Sequence, residues 1–112
     1  MTPEGITPKV TIPSPSLIIK RDHRSDLYAD YYDSWTDFLD ALAKAYHDTI
    51  QHFYDLGARY VQLDDTTWGY LIQQFENEKN NPEKTAELAK IAEDDVYTIN
   101  KALEGLPEDL TL

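Results

Sequence analysis

The sequence predicts a mixed α/β fold in which two parallel strands alternate with helices. Short β-prone segments at residues 9–12 and 59–63 are separated by a long segment with the apolar periodicity of an amphipathic helix. A second amphipathic segment follows the second strand, and this alternation is typical of parallel strands joined by right-handed crossovers. Two strands and two long helices cannot cover both faces of a parallel sheet. The 112 residues therefore have the order of a repeating α/β fold and the length of a piece of one.

The first strand is predicted at Lys9–Ile12, after an irregular lead-in at residues 1–8 that contains two prolines and a glycine. The strand ends at Pro13-Ser14-Pro15-Ser16, because each proline removes a hydrogen-bond donor that a central strand needs. Residues 20–32 follow neither a helical nor a strand period, so a loop with at most one turn of helix is expected there.

A long helix is predicted from Trp35 to Leu56. Ser34, with Asp37 three residues later, resembles the start of a capping box, and Gly57 is typical of a helix end. Apolar residues recur three or four positions apart and predict the buried face of this helix: Trp35, Phe38, Leu39, Leu42, Tyr46, Ile50, Phe53 and Leu56.

The second strand, Arg59–Leu63, is followed by a short predicted helix. Thr66 or Thr67 would cap this helix, and a polar loop at Glu76–Asn80 would follow it. Its predicted apolar face comprises Trp68, Leu71, Ile72 and Phe75.

The last long helix is predicted to start at Asn81-Pro82, with asparagine as the cap and proline in the first turn. Gly105 and Pro107 end it, and residues 109–112 have the pattern of the start of another strand. The predicted buried face comprises Leu88, Ile91, Ala92, Val96, Ile99 and Leu103.

The composition narrows the classes of function. With 10 Lys and Arg against 21 Asp and Glu, the formal net charge is −11, which argues against binding to nucleic acid or to an anionic membrane surface. The chain has no cysteine, so disulfides, thiolate metal ligands and cysteine nucleophiles are excluded within it. It has neither an 18-residue apolar run nor a signal-peptide pattern. We therefore expect a soluble cytoplasmic protein.

The pair Asp64-Asp65 lies where the second strand ends, which is the end of a parallel strand where α/β folds bind ligands. Adjacent strand residues point to opposite faces, so only one of the two is expected to face a cleft. That carboxylate would hold a cationic substrate group or a metal. The alternative, about equally favoured by the spacing alone, is that Asp64 or Asp65 caps the following helix.

Other candidates have an ordinary structural alternative beside the functional one. Ser14 and Ser16 could line a pocket, although a turn that merely ends the strand is the more common role. Trp68 could stack on a planar ligand or belong to the core. The only locally basic cluster, Lys20, Arg21, His23 and Arg24, could bind a phosphate or polyglutamate tail or form salt bridges to nearby aspartates. His23, His47 and His52 do not have metal-ligand spacing, so the histidines predict no metal site. The residues alone predict no catalytic side chain.

Several segments resemble a known family. The segment Val10-Thr11-Ile12-Pro13-Ser14-Pro15-Ser16 is similar to the strand-turn segment of cobalamin-independent methionine synthases, in particular their short, single-barrel branch. The helix containing Ala43-Lys44-Ala45-Tyr46 resembles the same branch. So does the stretch from Asp55 through Gly57-Ala58-Arg59-Tyr60-Val61-Gln62-Leu63-Asp64-Asp65 to Leu71. The resemblance covers about residues 9–112, and its most specific part is the glycine-to-aspartate stretch 57–65.

The resemblance implies a zinc-dependent (β/α)8 barrel that transfers a methyl group from methyltetrahydrofolate to the thiolate of homocysteine, with zinc lowering the pKa of the thiol. It implies that Asp64 contacts the ammonium group of the amino acid substrate. It places Ser14 and Ser16 at the barrel mouth near the folate. Trp68 belongs to the short branch's version of the motif.

The family's zinc ligands, however, begin on the strand that would follow the last helix of this chain. The sequence is therefore expected to be a single partial domain, residues 1–112, holding strands four and five of a barrel, with no cofactor of its own and no activity in isolation. Its uncovered edges predict self-association. The alternative is a non-catalytic acidic α/β module, or a subunit that completes a barrel with a partner. A uroporphyrinogen decarboxylase-like barrel, which shares the architecture without the Leu-Asp-Asp stretch, is a weaker alternative.

Overall fold

The computed structural model describes residues 2–19 and 27–112, which form a two-stranded parallel sheet and four helices. A 3-10 turn lies at Leu27–Asp30. The predicted α/β order of parallel strands and helices is confirmed. The elements are β1 (Val10–Pro13), α1 (Ser16–Ile19), α2 (Trp35–Asp55), β2 (Val61–Asp64), α3 (Thr67–Asn77) and α4 (Pro82–Leu103).

The register of the two strands separates a covered face of the sheet from an open one. Val10 pairs with Val61 and Ile12 with Leu63, which places four apolar side chains on one face. Val61 is completely buried on that face. The opposite face carries Thr11, Pro13, Gln62 and Asp64, which are exposed except for the half-buried Gln62. We call this second surface the open face of the sheet.

A third parallel strand begins beside β2. Thr111 forms a parallel bridge with Tyr60, in which the Thr111 amide donates to the Arg59 carbonyl and the Val61 amide donates to the Thr111 carbonyl, both at 2.9 Å. The Tyr60 carbonyl accepts from the Val10 amide instead, so the bridge lies on the side of β2 away from β1. The strand start predicted at residues 109–112 is therefore observed as one bridge.

The predicted caps position the long helices. The Ser34 side chain accepts a hydrogen bond from the Asp37 amide, and the Asn81 side chain accepts one from the Lys84 amide, with Pro82 in the first turn. Gly57, at φ 106°, ends α2 in a backbone conformation that other residues rarely adopt.

The helices α2 and α4 pack against each other through residues that the apolar periodicity identifies only in part. Leu39 and Ile50 of α2 and Leu88 of α4 are buried as predicted, and Ala43 and Ala102 join them. The predictions for Leu56, Ile72 and Val96 are wrong, since these side chains are 72%, 66% and 46% exposed. Leu56 lies beyond the last residue of α2. Buried aspartates next to Val96 take its expected place on α4.

The boundaries of two other elements also differ from the prediction. Ser16–Ile19 forms a helical turn that was not predicted, because the carbonyls of Ser14 and Pro15 accept from the amides of Leu17 and Ile18. Helix α3 continues to Asn77, so the loop predicted from Glu76 starts later. Within the described ranges, we find no helix with the length and hydropathy needed to span a bilayer.

Candidate functional site

The carboxylate of Asp65 connects the segments that follow both strands. Its Oδ1 accepts hydrogen bonds from the Ser16 hydroxyl at 2.8 Å and from the Thr67 amide at 2.9 Å. Its Oδ2 accepts from the Ser14 hydroxyl at 3.0 Å. The turn after β1 and the first residue of α3 are therefore held by one side chain.

The turn after β1 folds against Asp65 because its polar groups are buried. The Ser14 amide donates to the Asp64 carbonyl at 2.9 Å, which extends the strand pairing by one residue. Ser14 and Ser16 are then 0% and 1% exposed, and buried hydroxyls need hydrogen-bond partners. Asp65 supplies both. In the structure these two hydroxyls therefore bind a protein carboxylate.

Asp65 also has the capping role that the sequence left open between it and Asp64. Of the two predicted caps, Thr67 is the first residue inside α3, and the side chain of Thr66, which precedes it, makes no capping hydrogen bond. The Asp65 carboxylate, two residues before Thr67, accepts from the Thr67 amide in its place.

A second carboxyl group, that of Asp95, lies beside Asp65 under the site. Asp95 belongs to α4 and is 1% exposed. Its Oδ2 accepts a hydrogen bond of 2.9 Å from the indole Nε1–H of Trp68. Its Oδ1 is buried and accepts no hydrogen bond from the described residues.

The two carboxyl groups have opposite electrostatic environments. Burial raises the pKa of Asp95, and the neighbouring Asp65 raises it further, to about 7, although the Trp68 hydrogen bond acts in the other direction. Burial also acts to raise the pKa of Asp65. Hydrogen bonds from Ser16, Ser14 and Thr67, together with the interaction with the neighbouring Asp95 carboxyl group, outweigh that effect and hold the pKa of Asp65 below its ordinary value.

The neighbouring residue Asp94 makes a separate connection between the two long helices. Its Oδ2 accepts from the Trp35 indole Nε1–H at 2.9 Å, and its Oδ1 pairs with Lys90. A further bond joins the Tyr97 hydroxyl to Asp40 at 2.6 Å. Consecutive aspartates of α4 therefore bind a tryptophan of α2 and a tryptophan of α3.

Asp64 differs from these carboxylates because it lies on the open face at the end of β2 and is exposed. None of the described residues donates a hydrogen bond to its side chain. The structure thus brings Ser14, Ser16 and Trp68 together around Asp65 and Asp95, while Asp64 faces the other way. Lys20, Arg21 and Arg24 lie outside the described residues.

Of the two roles considered for Trp68, stacking on a planar ligand stays a prediction. Its side chain is partly exposed, at 37%, so it is not a core residue. Its indole N–H is already used to bind Asp95. What Trp68 provides in this structure is a hydrogen bond that positions α4 against the start of α3.

An apolar cavity of about 560 Å³ lies next to the end of β1. The Tyr46 hydroxyl closes one side of it by donating to the Pro13 carbonyl at 2.8 Å. Aromatic rings and the apolar side chains of α1 form most of its lining: Pro13, Leu17, Ile18, Ile19, Tyr28, Tyr31, Tyr32, Trp35, Phe38 and Tyr46.

The sequence analysis missed Asp94 and Asp95, although a signal for Asp95 was present. Asp95 is seven residues after Leu88 and seven before Ala102, and therefore shares their face of the helix. A carboxylate within the apolar stripe of a helix indicates a buried polar network.

The residues of this chain do not fit the zinc site that the resemblance implies. The sequence has no cysteine. The described residues contain no group of three or more His, Cys, Asp or Glu side chains that could hold a metal ion. The arrangement can instead hold a cationic group at the exposed Asp64 carboxylate.

Comparison with known proteins gives two relatives and one solved structure. The chain is 38% identical to the uncharacterized protein YxjG of Bacillus subtilis and 36% identical to the uncharacterized protein YxjH of the same organism, over 95% of its own length. A crystal structure named "Putative Vitamin-B12 Independent Methionine Synthase", from Listeria monocytogenes, matches 96% of the chain with a TM-score of 0.71 and 35% identity. No protein-family model matches the sequence.

The similarity is to one part of longer proteins. The matched region is 27% of the length of each Bacillus subtilis relative and 30% of the Listeria monocytogenes chain. Within it, the sequence identity and the TM-score together indicate a common arrangement of strands and helices. The resemblance to cobalamin-independent methionine synthases is thus supported by a solved structure of that name.

Replacement of Ser16 by alanine tests whether Asp65 holds the turn after β1. The substitution removes a hydrogen bond to an ionised carboxylate, so we expect Ser16→Ala to lower the free energy of unfolding by about 1.5–3 kcal/mol. Urea denaturation of the purified chain measures this change. The control Thr36→Ala alters an exposed residue of α2 and should stay within about 0.5 kcal/mol of wild type. Equal effects of the two variants would contradict the role of Asp65.

Proposed function

We propose that this chain forms part of the substrate pocket of a methyltransferase similar to the cobalamin-independent methionine synthases. In this proposal, the Asp64 carboxylate binds the ammonium group of the amino acid substrate, homocysteine. The observation that carries the proposal is that the two adjacent aspartates at the end of β2 have different surroundings. Asp65 is engaged by Ser14, Ser16 and Thr67, whereas Asp64 is exposed on the open face.

The position of Asp64 suits the recognition of a cation. An ionised carboxylate at the carboxyl end of a parallel strand lies where α/β enzymes bind substrates. Within the described residues no lysine or arginine pairs with it, so a substrate ammonium group would not have to displace one. Charge-assisted hydrogen bonds of this kind are stronger than neutral ones.

Three residues would then support substrate binding indirectly, by positioning Asp64: Ser14, Ser16 and Trp68. Their donors bind Asp65 and Asp95, which fixes the backbone on both sides of Asp64. The basic residues Lys20, Arg21 and Arg24 remain candidates for an anionic tail on the folate, because they form the only basic cluster of an acidic chain.

The complete reaction would need residues beyond these 112. The methyl group would pass from methyltetrahydrofolate to the homocysteine thiolate, and zinc would lower the pKa of that thiol. Since the described residues provide no zinc ligand set, we assign the chain substrate positioning alone. We further propose that it corresponds to strands four and five of a (β/α)8 barrel, in line with its matching 27–30% of the longer relatives.

The substitution Asp64→Asn, in a full-length enzyme that contains this segment, tests the assignment. Loss of the charge should raise the KM for homocysteine about tenfold or more, because a charge-assisted bond contributes about 1.5–3 kcal/mol. The KM for methyltetrahydrofolate should change less than about twofold. Steady-state kinetics with each substrate varied in turn measures both values.

The matched control is Asp33→Asn, which removes the same charge from an exposed position in the segment before α2. It should leave both KM values unchanged. If Asp64→Asn has the wild-type KM for homocysteine, Asp64 does not bind the substrate.

A second candidate function is that of a subunit or interaction module that completes a barrel with a partner. The open face of the sheet and the exposed apolar side chains Leu56 and Ile72 favour it, because a two-stranded sheet leaves backbone donors and acceptors unpaired at its edges.

The uncovered sheet predicts that the isolated chain self-associates. Sedimentation equilibrium across a concentration series should give an average mass that rises toward that of a dimer or a larger species. A compact monomer at the highest concentration would contradict this prediction.

A further inference from the structure

We propose that Asp95 is protonated and Asp65 is ionised, so that the two carboxyl groups are joined through a single proton. The resulting hydrogen bond would hold α4 against the turns that follow both strands. The bond would be an O–H···O contact from the Asp95 carboxyl group to the Asp65 carboxylate. We call this pH-sensitive hydrogen bond between Asp95 and Asp65, which lies beneath the open face, the latch. The inference goes beyond the proposed function and does not depend on it.

The hydrogen-bond inventory places the proton on Asp95. The two oxygens of Asp65 accept three hydrogen bonds, from Ser14, Ser16 and Thr67, so Asp65 is stabilised as an anion. Asp95 accepts one, at Oδ2 from Trp68. Its Oδ1 is buried without a donor among the described residues. A proton on Oδ1 would turn that unsatisfied oxygen into a donor for Asp65.

Among the described residues, no positive charge near Asp95 offsets the free-energy cost of burying its ionised carboxylate. From the loop after β2, the group facing it is the Asp65 carboxylate. From α3 it meets the neutral Trp68, and the buried groups of the turn after β1 are the neutral Ser14 and Ser16. On α4 itself, the adjacent Asp94 is paired with Lys90. Within the described part of the chain, no cation neutralises a second buried carboxylate.

The direction of the pH dependence follows from the two pKa shifts. The pKa of Asp95 is about 7 in the folded chain and about 3.9 in an unfolded one. A raised pKa gives stability that is full below the unfolded value and is lost as pH rises through about 7. The pKa of Asp65 is lowered, so its contribution is lost in acid. The latch is therefore strongest at mildly acidic pH.

Thermal unfolding of the purified 112-residue chain between pH 5.5 and 8.5 tests the latch with two matched variants. Asp95→Asn replaces the protonated carboxyl group with a neutral amide that can donate to Asp65 and accept from Trp68 at any pH. Asp94→Asn makes the same charge change at the adjacent buried residue. Both variants lack one carboxyl group and keep all three histidines, so histidine titration and the repulsion among the remaining acidic residues contribute similarly to both.

We expect the Tm of the wild type and of Asp94→Asn to fall by at least about 5 °C between pH 6 and pH 8.5. The Tm of Asp95→Asn should fall clearly less. An equal fall in all three proteins, or no fall in the wild type, would overturn the proposal.

A direct titration of the wild type keeps the test decisive if a variant does not fold. With ¹³C-labelled aspartate, NMR should find one side-chain carboxyl group with a titration midpoint near pH 7. The same signal should be present in Asp94→Asn and missing from Asp95→Asn. If every aspartate carboxyl group of the folded wild type titrates below pH 6, the shared proton does not exist.

Discussion

The rest of the site depends on the hydrogen bonds that the Asp65 carboxylate accepts. It accepts from two buried serines after β1 and from the first amide of α3, and it lies beside the buried Asp95 of α4. Four chain segments therefore meet at one side chain. A short sheet with two strands has few backbone bonds to fix the positions of its loops. A buried polar network fixes the positions of these loops instead, because each buried donor or acceptor left unpaired costs free energy.

This network also explains how two adjacent aspartates can have different roles. Alternation along β2 places Asp64 on the open face, whereas Asp65, one residue later, turns to the helical side. The structural role of Asp65 leaves Asp64 available for a ligand. Under the proposed function, that ligand is the ammonium group of the amino acid substrate. The geometry of the strand end gives a physical reason why Asp64, and not Asp65, would bind the ligand.

Local signals in the sequence were sufficient for the strand and helix order, the caps at Ser34 and Asn81 and the helix end at Gly57, because each depends on a few neighbouring residues. Tertiary contacts decided the rest. The burial of Asp95 requires donors from α3 and a partner from the loop after β2, which are 27 and 30 positions away in sequence. The exposure of Ile72 depends on which face of α3 meets α4. The pairing of Ser14 and Ser16 with Asp65 joins turns about 50 residues apart.

Asp65 holds the site together, whereas the side chain of Asp64 stabilises no contact among the described residues. The most direct measurement compares the unfolding free energies of Asp65→Asn and Asp64→Asn in the same chain at pH 6. We expect Asp65→Asn to lose about 2–4 kcal/mol, since an amide oxygen cannot accept from all three donors. Asp64→Asn should change the unfolding free energy by no more than about 0.5 kcal/mol. Equal losses, or a larger loss for Asp64→Asn, would show that Asp65 does not hold the site together.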